Sequence, residues 1–247
     1  MSNSKEGNVF KRLTNASVRM VERLLPDAFI FCVVLTIVAF FLAMIATGQG
    51  PLAMVLHWGN GVWELLAFSM QMALVLVLGN AFATSRPIKN FLKKIASFAR
   101  TPLQAIMIVT FVSGVACWIN WGFGLIVGAL LAKELARTVK GVDYRLLIAA
   151  AYSGFIVWHN GISGSIPLQV ASNLDQLTLF SEGKITELIP VSRTLFSPWN
   201  LAVVWIIILT LPFINRAMHP EKEHVITVDP QALIEPEEIV YVKTKDT

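Results

Sequence analysis

The sequence has 247 residues, 55% apolar and 15% charged, with a mean hydropathy of +0.64 and a formal net charge of +4. Soluble domains carry about a quarter charged residues, and the apolar residues here gather into long runs, so the composition excludes an ordinary soluble domain and points to an all-α membrane protein. It carries no GxSxG, HExxH, P-loop or dinucleotide-binding signature and no Cys/His cluster, which argues against an enzyme, a metal site or a bound cofactor.

Residues 1–25 are polar and basic. Val9, Phe10, Leu13, Met20, Val21, Leu24 and Leu25 alternate with Lys11, Arg12, Arg19 and Arg23, as in an amphipathic helix lying on the cytoplasmic surface. A partly disordered tail is the plainer alternative. No cleavable signal pattern is read here. The first span is predicted at 27–48, uncharged after Asp27 and close to the roughly 20 residues needed to cross the hydrocarbon. Gly48-Gln49-Gly50-Pro51 forms a turn. Trp58-Gly59-Asn60-Gly61 reads as an interfacial break before a second span at 65–83. Glu64 reads as a snorkelling carboxylate in preference to a proton-coupling one. Cys32 and Cys117 sit inside apolar runs and read as small core residues.

In residues 85–100, Ile88, Phe91, Leu92, Ile95 and Phe98 recur at helical spacing opposite Lys89, Lys93, Lys94 and Arg100, which predicts an interfacial helix; a nucleic-acid patch does not fit that setting. Residues 101–137 hold two apolar segments, 103–118 and 122–136, separated by Ile119-Asn120-Trp121-Gly122-Phe123-Gly124. They form either two full spans or a re-entrant hairpin with its tip at Asn120. After a basic loop, the segment 146–170 begins as an apolar helix and breaks at His159-Asn160-Gly161-Ile162-Ser163-Gly164-Ser165 before resuming at Ile166-Pro167-Leu168. The last span is predicted at 199–214, and 216–247 is a polar, acidic tail. The expected fold therefore has about six hydrophobic helical segments, with an interrupted re-entrant-type hairpin and a broken helix among them.

Eighteen of the 20 Lys and Arg residues lie on one topological side if the N-terminus is cytoplasmic; the exceptions are Lys184 and Arg193. The positive-inside rule then places both termini and the basic loops in the cytoplasm.

Backbone that leaves the helix at membrane depth must be buried in protein or line a water-filled cavity, and transporters build substrate sites from such breaks. A half-helix N-terminus offers N–H donors and partial positive charge, so it holds a carboxylate without a buried cation. The spans lack a central Lys or Arg, and amides with Ser163, Ser165 and Asn120 suit an organic acid. A kink or plain turn is the alternative for each break, and His159 reads equally as a proton carrier or a hydrogen-bonded helix-end histidine.

Four stretches carry a resemblance: Arg23-Leu-Leu-Pro-Asp-Ala-Phe-Ile, the run from Trp58 to Ala73, Val115-Ala-Cys-Trp-Ile-Asn-Trp-Gly-Phe-Gly-Leu-Ile-Val-Gly-Ala, and Ser163-Gly-Ser-Ile-Pro-Leu. Ile226-Thr-Val-Asp-Pro also fits. With these motifs the chain resembles the short-chain fatty acid transporter family of acetoacetate and butyrate permease type, and more distantly the ion transporter superfamily. The resemblance implies secondary transport of short-chain monocarboxylates across the bacterial inner membrane, coupled to H+ or Na+. It implies one half of an inverted-repeat fold, a bilayer setting and no nucleic-acid partner. By the same resemblance, Asn120, Trp121, Gly122 and Gly124 occupy the hairpin tip and His159, Asn160, Gly161, Ser163, Gly164, Ser165 and Pro167 the unwound segment, together lining the substrate site. The His159-Asn160 pair departs from a family pattern rich in glycine there. Family members continue into a second hydrophobic half, so the chain is expected to be a truncated product, one half of a split transporter, or a half that assembles with another chain or as a homo-oligomer. A non-transporting membrane subunit that binds or scaffolds a partner is the alternative.

Overall fold

The computed structural model describes Ser17, Met20, residues 27–229 and Leu233. The expected stripe of residues 1–25 lies outside the described residues except at Ser17 and Met20, as do the side chain of Glu64 and Glu235, Glu237 and Glu238 of the tail. All regular structure among the described residues is helical. Four segments are long and apolar enough to cross a membrane: 29–47, 102–119, 144–172 taken as one broken segment, and 198–217.

The chain divides into two compact units, 1–75 and 76–247. The first holds α1 (Ala28–Thr47) and most of α2 (Pro51–Ala83). Asp27 caps α1, its carboxylate accepting from the Phe29 N–H at 2.9 Å, which satisfies one of the donors a helix start leaves open. Cys32 is exposed on α1, unlike the fully buried Cys117, so only the second cysteine is a core residue. The break expected at Trp58–Gly61 is absent. Helix α2 runs through it, because neither Gly59 nor Gly61 adopts a left-handed conformation and a side chain at either would meet only open space. A glycine costs a helix only about 1 kcal/mol, which a long apolar helix absorbs.

The second unit contains the end of α2 and α3 (Arg86–Ala96), α4 (Pro102–Ile119), α5 (Trp121–Thr138), α6 (Tyr144–Ser153), a 3-10 stretch (Gly154–Asn160), α7 (Ser165–Ser172), α8 (Leu174–Phe180) and α9 (Pro198–Ala217). Prolines at the first position, where a missing N–H costs nothing, and Thr101 and Ser197 as caps start α4 and α9. Helices α4 and α5 form a closed hairpin and make the most extensive helix contact in the unit, with α6, the 3-10 stretch and α9 packed on α4. The core is centred on Ile106, Val109, Leu131, Leu135 and Leu147, all fully buried. Helix α3 is amphipathic, but the expected apolar stripe divides: Leu92 and Ala96 are buried, while Phe91, and Phe98 just past the helix end, are exposed.

One buried polar cluster ties three helices together. Asn215 of α9 donates through Nδ2 to Thr110 Oγ1 of α4 at 3.0 Å and to Ser153 Oγ of α6 at 2.8 Å. Ser153 is the last residue of α6 before the helix tightens, so the cluster fixes where the break begins. The segment after α9 returns to the head of α6. Asp143, 2% exposed, caps α6 through the Leu146 N–H and accepts the Ile226 N–H at 2.9 Å, and the Tyr144 N–H donates to the Ile226 carbonyl at 2.8 Å. The Ile226-Thr-Val-Asp motif is thus a strap across the loop between α5 and α6.

Candidate functional site

The two breaks meet. Asn120 is the joint of the hairpin: it is extended (φ −151°, ψ 120°), ends α4 by donating its N–H to Ala116, and starts α5 by accepting the Phe123 N–H on Oδ1 at 3.0 Å. A residue that must be extended and also cap a helix through a short side-chain oxygen is the role in which Asn excels. The broken segment locks onto this joint at two points. The Ile162 N–H donates to the Trp118 carbonyl at 2.7 Å, and the Trp121 N–H donates to Ser163 Oγ at 3.1 Å. Orphaned amides and carbonyls of each break are therefore satisfied by the other, as backbone in a lipid setting requires.

Two glycines make this approach feasible. A Cβ on Gly124 would overlap the Cys117 backbone across the hairpin, and one on Gly161 would overlap the Trp118 carbonyl. Aromatic rings fill the space around the joint. Trp121 meets Trp158 edge-on at 5.7 Å and Phe155 at 6.0 Å, Phe155 stacks on Trp158 at 5.0 Å, and the His159 ring lies 3.7 Å from that of Trp158.

Helix α9 is a third wall. Asn160 Nδ2 donates to Asn200 Oδ1 at 2.6 Å, and Asn200 Nδ2 donates back to the Asn160 carbonyl at 3.1 Å and to the Leu195 carbonyl at 2.8 Å. The sequence reading missed Asn200, Phe155 and Trp158. Asn200 stands three residues after the Ser197 cap, where a polar residue reads as ordinary helix-start chemistry. Phe155 and Trp158 read as part of an apolar run.

The expected site residues divide by what they do. Asn120, Trp121, Gly124, Asn160, Gly161 and Ser163 hold the two breaks and α9 together. Gly122 is buried behind the joint, its backbone against Gly79 of α2. Gly164, buried, packs against the His159 and Gly161 carbonyls. Ser165 and Pro167 are half-buried in the first turn of α7, which Gly164 precedes without a side-chain cap. The two helix starts therefore differ. At α5 the chain itself occupies the N–H groups of Trp121, Phe123 and Gly124. At α7 there is no side-chain cap, Pro167 has no N–H, and the donors are the amides of Ser165 and Ile166 with the Ser165 hydroxyl. His159 Nδ1 is buried with no hydrogen-bond partner among the described residues.

The sequence matches the profile of short chain fatty acid transporters over residues 9–247. The chain belongs to the short-chain fatty acid transporter family. A relative from Escherichia coli (strain K12), provisionally named a short-chain fatty acid transporter, is 48% identical over 224 residues, covering 91% of this chain and 50% of that protein. One of the same name from Haemophilus influenzae (strain ATCC 51907 / DSM 11121 / KW20 / Rd) is 46% identical over 227 residues, covering 91% of this chain and 51% of its own. The chain spans about half the length of the curated relatives it matches. No solved structure matches it. Family and apolar helices together make it a multi-pass membrane protein.

Proposed function

We propose that the chain provides one half of a secondary carrier for short-chain monocarboxylates such as butyrate and acetoacetate, and that the start of α7 receives the carboxylate. The observation that carries this reading is the asymmetry between the two helix starts: α5 is closed by the chain, while α7 begins uncapped beside the interlocked joint. The amides of Ser165 and Ile166 and the Ser165 hydroxyl are donors for one carboxylate, with the α7 dipole adding positive potential. Trp158 and Phe155 offer apolar surface for a short alkyl chain. Asn120, Trp121, Gly122, Gly124, Asn160, Gly161, Ser163, Gly164 and Pro167 shape the site around them.

The hairpin is re-entrant in this reading. Although α4 (102–119) is long enough to cross, the return arm, 121–132 before Lys133, rises only about 18 Å as a helix, short of the roughly 30 Å hydrocarbon layer. The joint at Asn120 then lies at membrane depth. The basic segments around α3, the end of α5 and the strap after α9 share one end of the unit, which the positive-inside rule makes cytoplasmic. Residues 26–215 form the membrane domain in the inner membrane, with 1–25 and 216–247 cytoplasmic and the latter leading toward a second half of inverted topology. Coupling is to H+ or Na+.

The test is butyrate binding followed by tryptophan fluorescence on the protein assembled with its second half, for the wild type, Ser165→Ala and Ser163→Ala. Removing a hydrogen bond to a charged ligand costs about 1.5–3 kcal/mol. Ser165→Ala is expected to weaken binding by about tenfold or more while leaving thermal stability unchanged. Unaltered affinity in Ser165→Ala would remove α7 from the site.

A further inference from the structure

Away from the two breaks, helix α3 and the end of α5 enclose a pocket of about 210 Å³ lined by Lys89, Lys93, Lys133 and Arg137 with one acid, Glu134. Four basic side chains and one carboxylate line the pocket. Arg137 donates to Glu134 at 3.3 Å, which uses one of five guanidinium donors. The apolar lining is Leu92 and Leu130, joined by Leu233 from the tail after α9.

Its position is as informative as its charge. The apolar run of α5 ends at Ala132, so Lys133 and Arg137 stand where a helix leaves the hydrocarbon. Helix α3 buries Leu92 and Ala96 in the protein and exposes Phe91, at 58%, beside its lysines, and Phe98 just past its end is 66% exposed. That is the pattern of a helix lying among lipid headgroups. Lys89, Lys133 and Glu134 are half-buried, so the lysine charges are concentrated in a recess and not spread over an open face.

We propose that this pocket binds the phosphate of an anionic phospholipid. Clustered Lys and Arg at a membrane boundary attract anionic headgroups, each basic residue contributing about 1 kcal/mol, or about fivefold in affinity. A guanidinium fork presents paired donors to phosphate oxygens while the lysines add point charges. The site depends on the summed potential of the four cations, not on any ammonium being unengaged. The lipid pins α3 to the base of the α4–α5 hairpin, the element that carries Asn120 at its far end. This holds whether or not the chain transports butyrate.

The experiment is native mass spectrometry of the detergent-solubilised chain titrated with phosphatidylglycerol or phosphatidylcholine, with inorganic phosphate and glycerophosphoglycerol as soluble competitors. The expected result is a retained phosphatidylglycerol at low excess and no retained phosphatidylcholine. The triple substitution Lys89→Gln, Lys133→Gln and Arg137→Gln is expected to weaken retention more than tenfold. Lys94→Gln with Arg100→Gln, outside the pocket, is expected to leave it unchanged. Should the triple variant fail to fold, the exposed Lys93→Gln alone is expected to lose about fivefold. Equal retention of phosphatidylcholine, or of phosphatidylglycerol in the pocket variants, overturns the proposal. Complete displacement by inorganic phosphate would mean a free-phosphate site, which also overturns it. So does retention appearing only after Glu235, Glu237 and Glu238 are changed to Gln, because the chain's own acidic tail would then be the occupant.

Discussion

Ser163 and Ser165 are two residues apart and face different tasks. Ser163 Oγ accepts the Trp121 N–H, the first amide of α5. Ser163→Ala leaves that half-buried donor without its partner, at a cost of about 1–3 kcal/mol, so the expected outcome is a lower unfolding midpoint in detergent. Ser165→Ala removes no hydrogen bond of the interlock and is expected to spare the midpoint while weakening ligand binding. Asn120→Ala loses the Phe123 cap, worth about 1 kcal/mol, and the same melting measurement checks it. Gly161→Ala is the severest of these changes, since its Cβ would overlap the Trp118 carbonyl and prise the breaks apart. Its predicted signature is loss of the folded protein from size-exclusion chromatography. The glycines and serines at 159–167 were legible in the sequence as a break, because nothing else explains so many of them inside an apolar run. Their division of labour was not, because it depends on which side chain reaches Trp121.

At the scale of elements, the segment from Tyr144 to Ser172 is three pieces: an α-helix, a seven-residue 3-10 stretch and a second short helix. Runs of 3-10 helix beyond three or four residues are uncommon and often mark a hinge. The Asn215–Thr110–Ser153 cluster holds its near end and the Asn160–Asn200 pair its far end. Helix interfaces in membranes use such polar contacts at about 0.6 kcal/mol each on average, so Asn215→Leu is expected to destabilise only modestly. Asn200→Leu breaks two hydrogen bonds to Asn160 and one to the Leu195 carbonyl, and is expected to loosen the 3-10 stretch. Hydrogen exchange checks this: amides of 154–164 are predicted to exchange faster in Asn200→Leu while those of α4 stay protected. Apolar runs, N-terminal prolines and Asn120 are local signals, so helical segments were legible in the sequence, although α2 begins at Pro51, well before the span expected at 65–83. The sequence did not show that α9 closes the site, because Asn200 and Asn215 meet residues 40 to 105 positions away. It also overread Trp58–Gly61, where glycine merely rides in a continuous helix.

For the whole molecule, the family and the internal geometry point the same way. The chain matches about half of each relative, and within that half the uncapped start of α7 stands beside an interlocked joint. In the proposed carrier, an inverted partner half would bring a second break to the same depth. The non-transporting alternative predicts a joint that holds shape but moves nothing. Uptake of labelled butyrate into vesicles separates them, measured with this chain alone and with a chain supplying the second hydrophobic half. The account predicts saturable uptake in the paired preparation, competed by acetoacetate and lost on Ser165→Ala; no uptake in either preparation would contradict it.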